Sequence, residues 1–140
     1  MIDEKIDSTW WTLRMALGLT AFLAGLDKFF DLLADWQAYL SPLVERMLPV
    51  SGAFFMQAVG VIEMAVAGLI LLGWTRLGGY IAAAWLAAIS LNLVTTGQFF
   101  DVAARDLVMA AAAFSLARLT EYRESVLGTA HEPERALARG

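Results

Sequence analysis

Between Leu77 and Phe100 the chain runs for 24 residues without a charged side chain. About 20 apolar residues suffice to cross the hydrocarbon core of a bilayer, so this run alone meets the strict length test for a spanning helix. Everything around it is almost as apolar. Hydrophobic residues make up 59% of the 140-residue chain and charged residues only 17%, against roughly 25% charged in soluble domains. A chain this short cannot bury that much apolar surface in a single soluble core. The composition excludes disorder and points to a membrane protein.

The charges fall unevenly. Four lie in residues 3–7 and eight in residues 118–139, which leaves twelve across the 110 residues between Ser8 and Ala117. The chain therefore reads as a polar N-terminus (1–9), a hydrophobic unit (10–119) and a polar cytoplasmic tail (120–140). Within the unit, apolar segments fall at about 10–30, 52–74, 77–100 and 102–119. The predicted fold is all-α: an integral membrane four-helix bundle. Trp36, Leu40, Leu43, Val44 and Met47 share one helical face, which predicts a short interfacial amphipathic helix between the first and second spans; a loop packed on the bundle is the competing reading. Trp10, Trp11 and most of the other aromatic residues suit an interface or a lipid-facing position.

Orientation follows from Lys and Arg near the helix ends. Lys5, Arg14, Arg76, Arg118 and Arg123 fall on one side and Lys28, Arg46 and Arg105 on the other, which places both termini in the cytoplasm. The acidic start MIDEKID lacks the basic region of a cleaved leader, so the first helix is expected to insert and remain.

Several chemistries are excluded or disfavoured. The absence of Cys removes disulfides, thiolate nucleophiles and iron–sulfur ligation. The only His is His131, in the polar tail and expected to be solvated, so a bis-His haem within the membrane is impossible. No metal-ligand spacing, phosphate loop or catalytic triad stands in the sequence, and no catalytic residue is assigned. The scattered basic residues make no nucleic-acid footprint.

The informative residues are the ionisable groups inside the apolar unit, each costly in lipid and each in want of a partner. Glu63 lies about ten residues into the second segment, about 15 Å deep, near the middle of a core about 30 Å thick. A structural ion pair, a ligand or proton-handling site and an isolated protonated acid all remain open for it. On the first segment Arg14, Gly18, Ala21, Gly25 and Lys28 share one narrow face. Either that face packs inward and Lys28 enters a polar cluster, with Asp31 able to pair at i,i+3, or Arg14 and Lys28 snorkel to opposite headgroup layers. Asn92, Arg105 and Asp106 fall in the same outer half as Lys28 and Glu63, and Asp101 can cap the last helix or bond Arg105. Arg14, Asp27, Lys28, Glu63, Arg105 and Asp106 together are neutral, as a buried network requires. Headgroup pairing of Arg105 and Asp106 competes with this. Gly79, Ala83 and Ala87, with Ala84 and Ala88, form small-residue rows suited to close helix contact.

The ordered set Arg14-x3-Gly18-x6-Gly25-x2-Lys28, Gly60-x2-Glu63-x4-Gly68 and Arg105-Asp106-Leu107 resembles the DoxX family of small bacterial membrane proteins, over roughly residues 10–119. The resemblance implies a four-helix bundle in the bacterial inner membrane with Arg14, Lys28, Glu63 and Arg105 as a polar core. It also implies association with membrane redox systems, such as subunits of thiosulfate:quinone oxidoreductases and oxidative-stress complexes. With no Cys, such a role must use a bound quinone or a partner's cofactor. The expectation is an accessory subunit without independent catalytic activity or covalent cofactor. It would hold a quinone or lipid near Glu63, sit in the lipid bilayer, and work with a membrane or soluble oxidoreductase, or with further copies of itself. A small transporter or proton-handling bundle, and a purely structural assembly protein, are the alternatives.

Overall fold

The computed structural model describes residues 2–137, and side chains up to residue 129. Among these residues there are five α-helices and no strand: α1 (Glu4–Asp27), α2 (Pro42–Met47), α3 (Gly52–Leu71), α4 (Thr75–Thr95) and α5 (Phe100–Leu137). A 3-10 turn, Trp36–Tyr39, precedes α2.

Each boundary has a local cause. Asp3 caps α1 by accepting from the Lys5 amide at 2.8 Å, and Glu4 and Asp7 complement the positive end of the helix dipole. At the other end, the Asp27 carboxylate accepts from the Leu32 and Leu33 amides at 3.0 and 2.8 Å. The chain reverses around it through Asp31, at φ 52°. Ser51 caps α3 through the Phe54 amide. Gly73, at φ 115°, makes the turn into α4, a backbone conformation that glycine adopts without steric cost. Gly97 and Phe99, both at positive φ, separate α4 from α5.

The expected amphipathic helix over 36–50 is divided in two. A proline inside a helix lacks an N–H and clashes with the preceding turn, and Ser41 before Pro42 is extended at ψ 136°. The helix therefore restarts with Pro42 in its first turn and Ser41 as cap. Leu43 and Met47, one turn apart on α2, keep one exposed apolar face, while Leu40, before the break, is buried. The polar tail also differs from expectation. The helix continues unbroken to Leu137, helped by the Arg118–Glu121 pair at i,i+3. The His131 side chain lies outside the described residues.

The four long helices contact one another in a ring: α1 on α3, α3 on α4, α4 on α5 and α5 on α1. Trp10, Leu17, Val66, Ile70, Ala82, Ala113 and Leu116 form the core. Small residues set the close contacts. A Cβ on Gly79 would lie 3.0 Å from the Ala113 carbonyl and the Ala117 side chain, and Ala83 packs on the core; Ala84, Ala87 and Ala88 face outward. Trp10 departs from the interfacial expectation. It is 4% exposed because its indole N–H donates to Thr120 Oγ1 on α5 at 2.8 Å. Trp11 and Trp74 are exposed.

Two helices, α3 and α4, are long and apolar enough to cross a membrane, with mean hydropathies of 2.0 and 1.7. Fewer than a third of the residues in the apolar stretch of each are buried within the chain. Helices α1 and α5, of 24 and 38 residues, are longer and carry more charge.

Candidate functional site: a buried polar centre joining four helices

The closest approach between α1 and α3 is made by two glycines. A Cβ on Gly25 would lie 2.6 Å from the Gly60 carbonyl oxygen, and one on Gly60 2.5 Å from that of Gly25. Three residues further along each helix stand Lys28 and Glu63. The glycine contact brings the two backbones close enough for these side chains to meet, and Lys28 Nζ donates to Glu63 Oε2 at 2.6 Å. The two side chains are only 5% and 11% exposed. Lys28 also sits 3.7 Å above the Trp36 ring, a cation–π contact strengthened by desolvation. Trp36 is fixed in turn by its N–H to Asp27 Oδ2 at 2.8 Å. Thus Asp27 shapes the turn that lays an aromatic lid over Lys28.

The other two long helices complete the centre. Asp106 on α5 is buried and lies within Coulombic range of both Lys28 and Glu63. Arg105 reaches back around its own helix to bond Asp106 through Nε and Nη2 at 3.2 and 3.1 Å, with its side chain largely exposed. From α4, the indole N–H of Trp85 is buried and directed at the Glu63 carboxylate, at the long limit of a hydrogen bond. Buried indoles normally find an acceptor, and here Glu63 supplies it loosely while bonding Lys28 at 2.6 Å.

The remaining expected members lie elsewhere. Arg14 is at the other end of α1, about 21 Å from Lys28 along the helix axis. Its Nε and Nη2 donate to the Ile70 and Leu71 carbonyls at 2.9 and 2.6 Å, and its guanidinium lies 4.9 Å from the Trp10 and Trp11 ring centres. It caps the C-terminus of α3. Asn92 clamps the connector: Nδ2 donates to the Tyr39 carbonyl at 2.8 Å and Oδ1 accepts from the Ser41 amide at 3.2 Å. Asp31 does not take Lys28, and Arg105 bonds Asp106 rather than Asp101. The neutral six-residue network therefore resolves into two ion pairs and two chain-end caps.

Trp85 and Trp36 were not anticipated as site residues, and Asp27, expected in the charged network, instead caps the turn after α1 and holds Trp36. Trp85 alone carried a legible signal, as a polar N–H inside the uncharged run. Among the described residues no three His, Asp or Glu side chains gather as metal ligands.

The chain matches no protein-family model, no curated protein and no solved structure. Its chemistry therefore rests on the geometry. The centre offers an acid and an amine hydrogen-bonded at 2.6 Å, with a loosely engaged indole N–H directed at the same acid. That set can hold an acceptor oxygen and can supply or take up a proton beside it.

Proposed function

We propose that the chain is a DoxX-like integral membrane protein. In this reading the four long helices form a bundle across a bacterial cytoplasmic membrane, both termini are cytoplasmic, and the protein is an accessory subunit of a membrane redox system. The polar centre receives the oxygen-bearing head of a quinone or lipid. The Trp85 N–H carries this reading, since it adds a directed donor, only loosely engaged by Glu63, to the Lys28–Glu63 pair in an apolar bundle. Trp85 would hold the head-group oxygen, and the Lys28–Glu63 pair would hold the exchangeable proton. A quinone supplies two-electron redox chemistry that a chain without Cys, and without clustered metal ligands among the described residues, does not; electrons would come from a partner oxidoreductase. The membrane assignment is supported by the exposed apolar side chains along the helices, among them Leu23, Val61, Leu91 and Val108. Surfaces of that kind mark contact with lipid or protein. The DoxX resemblance is supported by Gly25-x2-Lys28 and Gly60-x2-Glu63, which form the two halves of a single helix crossing.

A structural reading is favoured by a different observation. The Lys28–Glu63 pair adjoins the glycine contact, where an ion pair fixes helix register without any ligand. Mild-detergent purification followed by native mass spectrometry and solvent extraction separates the two. A quinone or lipid retained by the wild type, or a co-purifying oxidoreductase, is expected. A pure chain with neither leaves only the structural reading.

A further inference from the structure

At the opposite end of the molecule lies a cavity of about 220 Å³, walled by Trp10, Arg14, Gly73, Thr75, Arg123 and Glu124. Trp10 lies within cation–π range of two guanidiniums. The Arg14 guanidinium is 4.9 Å from its ring and the Arg123 guanidinium 4.2 Å. The indole cannot turn away, because its N–H is held by Thr120 Oγ1, which itself donates to the Leu116 carbonyl at 2.7 Å. Two like charges on one aromatic spacer repel, and the protein answers each only in part. Arg14 spends Nε and Nη2 on the end of α3. Arg123 spends Nε on Asp7 Oδ1 at 2.9 Å. Among the described residues, Arg14 Nη1 and both Nη atoms of Arg123 take no protein acceptor. Glu124 is paired with Arg76 at 3.7 Å. A Cβ on Gly73 would meet nothing within 4 Å, so the mouth of the cavity is clear of side chains there.

We propose that this cavity binds a phosphate-class oxyanion, clasped between the Arg14 and Arg123 guanidiniums. Forked guanidinium donors match phosphate oxygens, and the volume admits one such group. Two sources share this chemistry: the phosphodiester of an anionic lipid, and free phosphate. The lipid source is the one the surroundings fit. Trp11, Leu72 and Trp74 are exposed around the same end of the molecule, Leu72 by 88%. Exposed tryptophans of this kind anchor at headgroup level. The site is separate from the Lys28–Glu63 centre and is unaffected if that centre binds nothing.

The test uses the full chain in a phosphate-free maltoside detergent, with lipid adducts counted by native mass spectrometry. Phosphatidylglycerol is the probe, diacylglycerol the control without phosphate, and inorganic phosphate the competitor. The wild type should retain one phosphatidylglycerol in preference to diacylglycerol. In Arg123→Gln that retention should fall about tenfold, the loss of one charge-assisted contact. In Asp7→Asn it should rise, because the competing carboxylate is gone; a merely structural role for Arg123 gives no such increase. Displacement by millimolar inorganic phosphate with the same variant dependence identifies free phosphate as the source, and resistance to it identifies the lipid. Equal retention of phosphatidylglycerol and diacylglycerol, or retention unmoved by both variants, overturns the proposal.

Discussion

The backbones of Gly25 and Gly60 touch, each carbonyl standing where the other residue's Cβ would be, at 2.6 and 2.5 Å. No side chain fits between α1 and α3 at that point, and the obstructing atoms are backbone. Gly60→Ala should therefore push the helices apart, at a cost of about 1–3 kcal/mol as overpacking, and should weaken the Lys28–Glu63 contact one turn on. Gly68 lies on the same helix with open space around it. Gly68→Ala should be neutral or stabilising by up to about 1 kcal/mol, from helix propensity alone. Thermal unfolding of the two variants in the same detergent checks the contrast.

The Lys28–Glu63 pair gives a sharper expectation. Removing one partner leaves a buried charge, which costs about 3–5 kcal/mol, whereas replacing both with apolar residues is often neutral. Glu63→Leu and Lys28→Met should each destabilise strongly, and the double variant should be more stable than either single one. Additive losses across this double-mutant cycle would mean that the two groups do not depend on each other.

Arg14 is tied to α3 rather than to the polar centre. Arg14→Lys keeps the charge but cannot reproduce a fork on two carbonyls. The loss of charge-assisted hydrogen bonds, about 1.5–3 kcal/mol, should be felt locally. Hydrogen exchange at the Leu72 amide, which donates to the Gly68 carbonyl at 2.9 Å, should accelerate, while exchange at the far end of α3 stays unchanged.

Asn92 holds the connector by two hydrogen bonds to backbone. In Asn92→Leu the segment between α1 and α3 should open more readily. Arg46, exposed on α2, offers trypsin a site there, and its cleavage should speed up at least about tenfold, from two lost hydrogen bonds of about 0.5–1.5 kcal/mol each. Unchanged cleavage would show that Leu40 and Ser41 are held by packing alone.

These residues also show where sequence reasoning reaches and where it stops. The uncharged run and the Gly52–Leu71 segment announce α4 and α3 through composition, a local property. Lys28 and Glu63 are legible as a pair because an ionisable group in an apolar segment must find a partner, and each carries a small residue three positions before it. The choice among partners is not local. Arg14 meets carbonyls 56 and 57 residues away, and Asn92 meets backbone 51 and 53 residues away; no spacing rule specifies such a target. Trp10 reads as an interfacial anchor because its burial depends on Thr120, 110 residues on. The break at Pro42 is legible, since the effect of proline on a helix is local; the burial of Leu40 beside it is not, because Asn92 holds the neighbouring backbone from α4.

The central claim is that the Trp85 N–H, only loosely engaged by Glu63, passes to the oxygen of a bound head group. Indole N–H resonances report this directly, and Trp85→Phe assigns the Trp85 signal among five. On titration of a short-chain ubiquinone into the labelled full chain in detergent, the Trp85 indole proton should shift downfield while that of Trp10, already bonded to Thr120, stays in place. A Trp85 signal that does not move at saturating quinone, or that moves only together with all the others, would contradict the account.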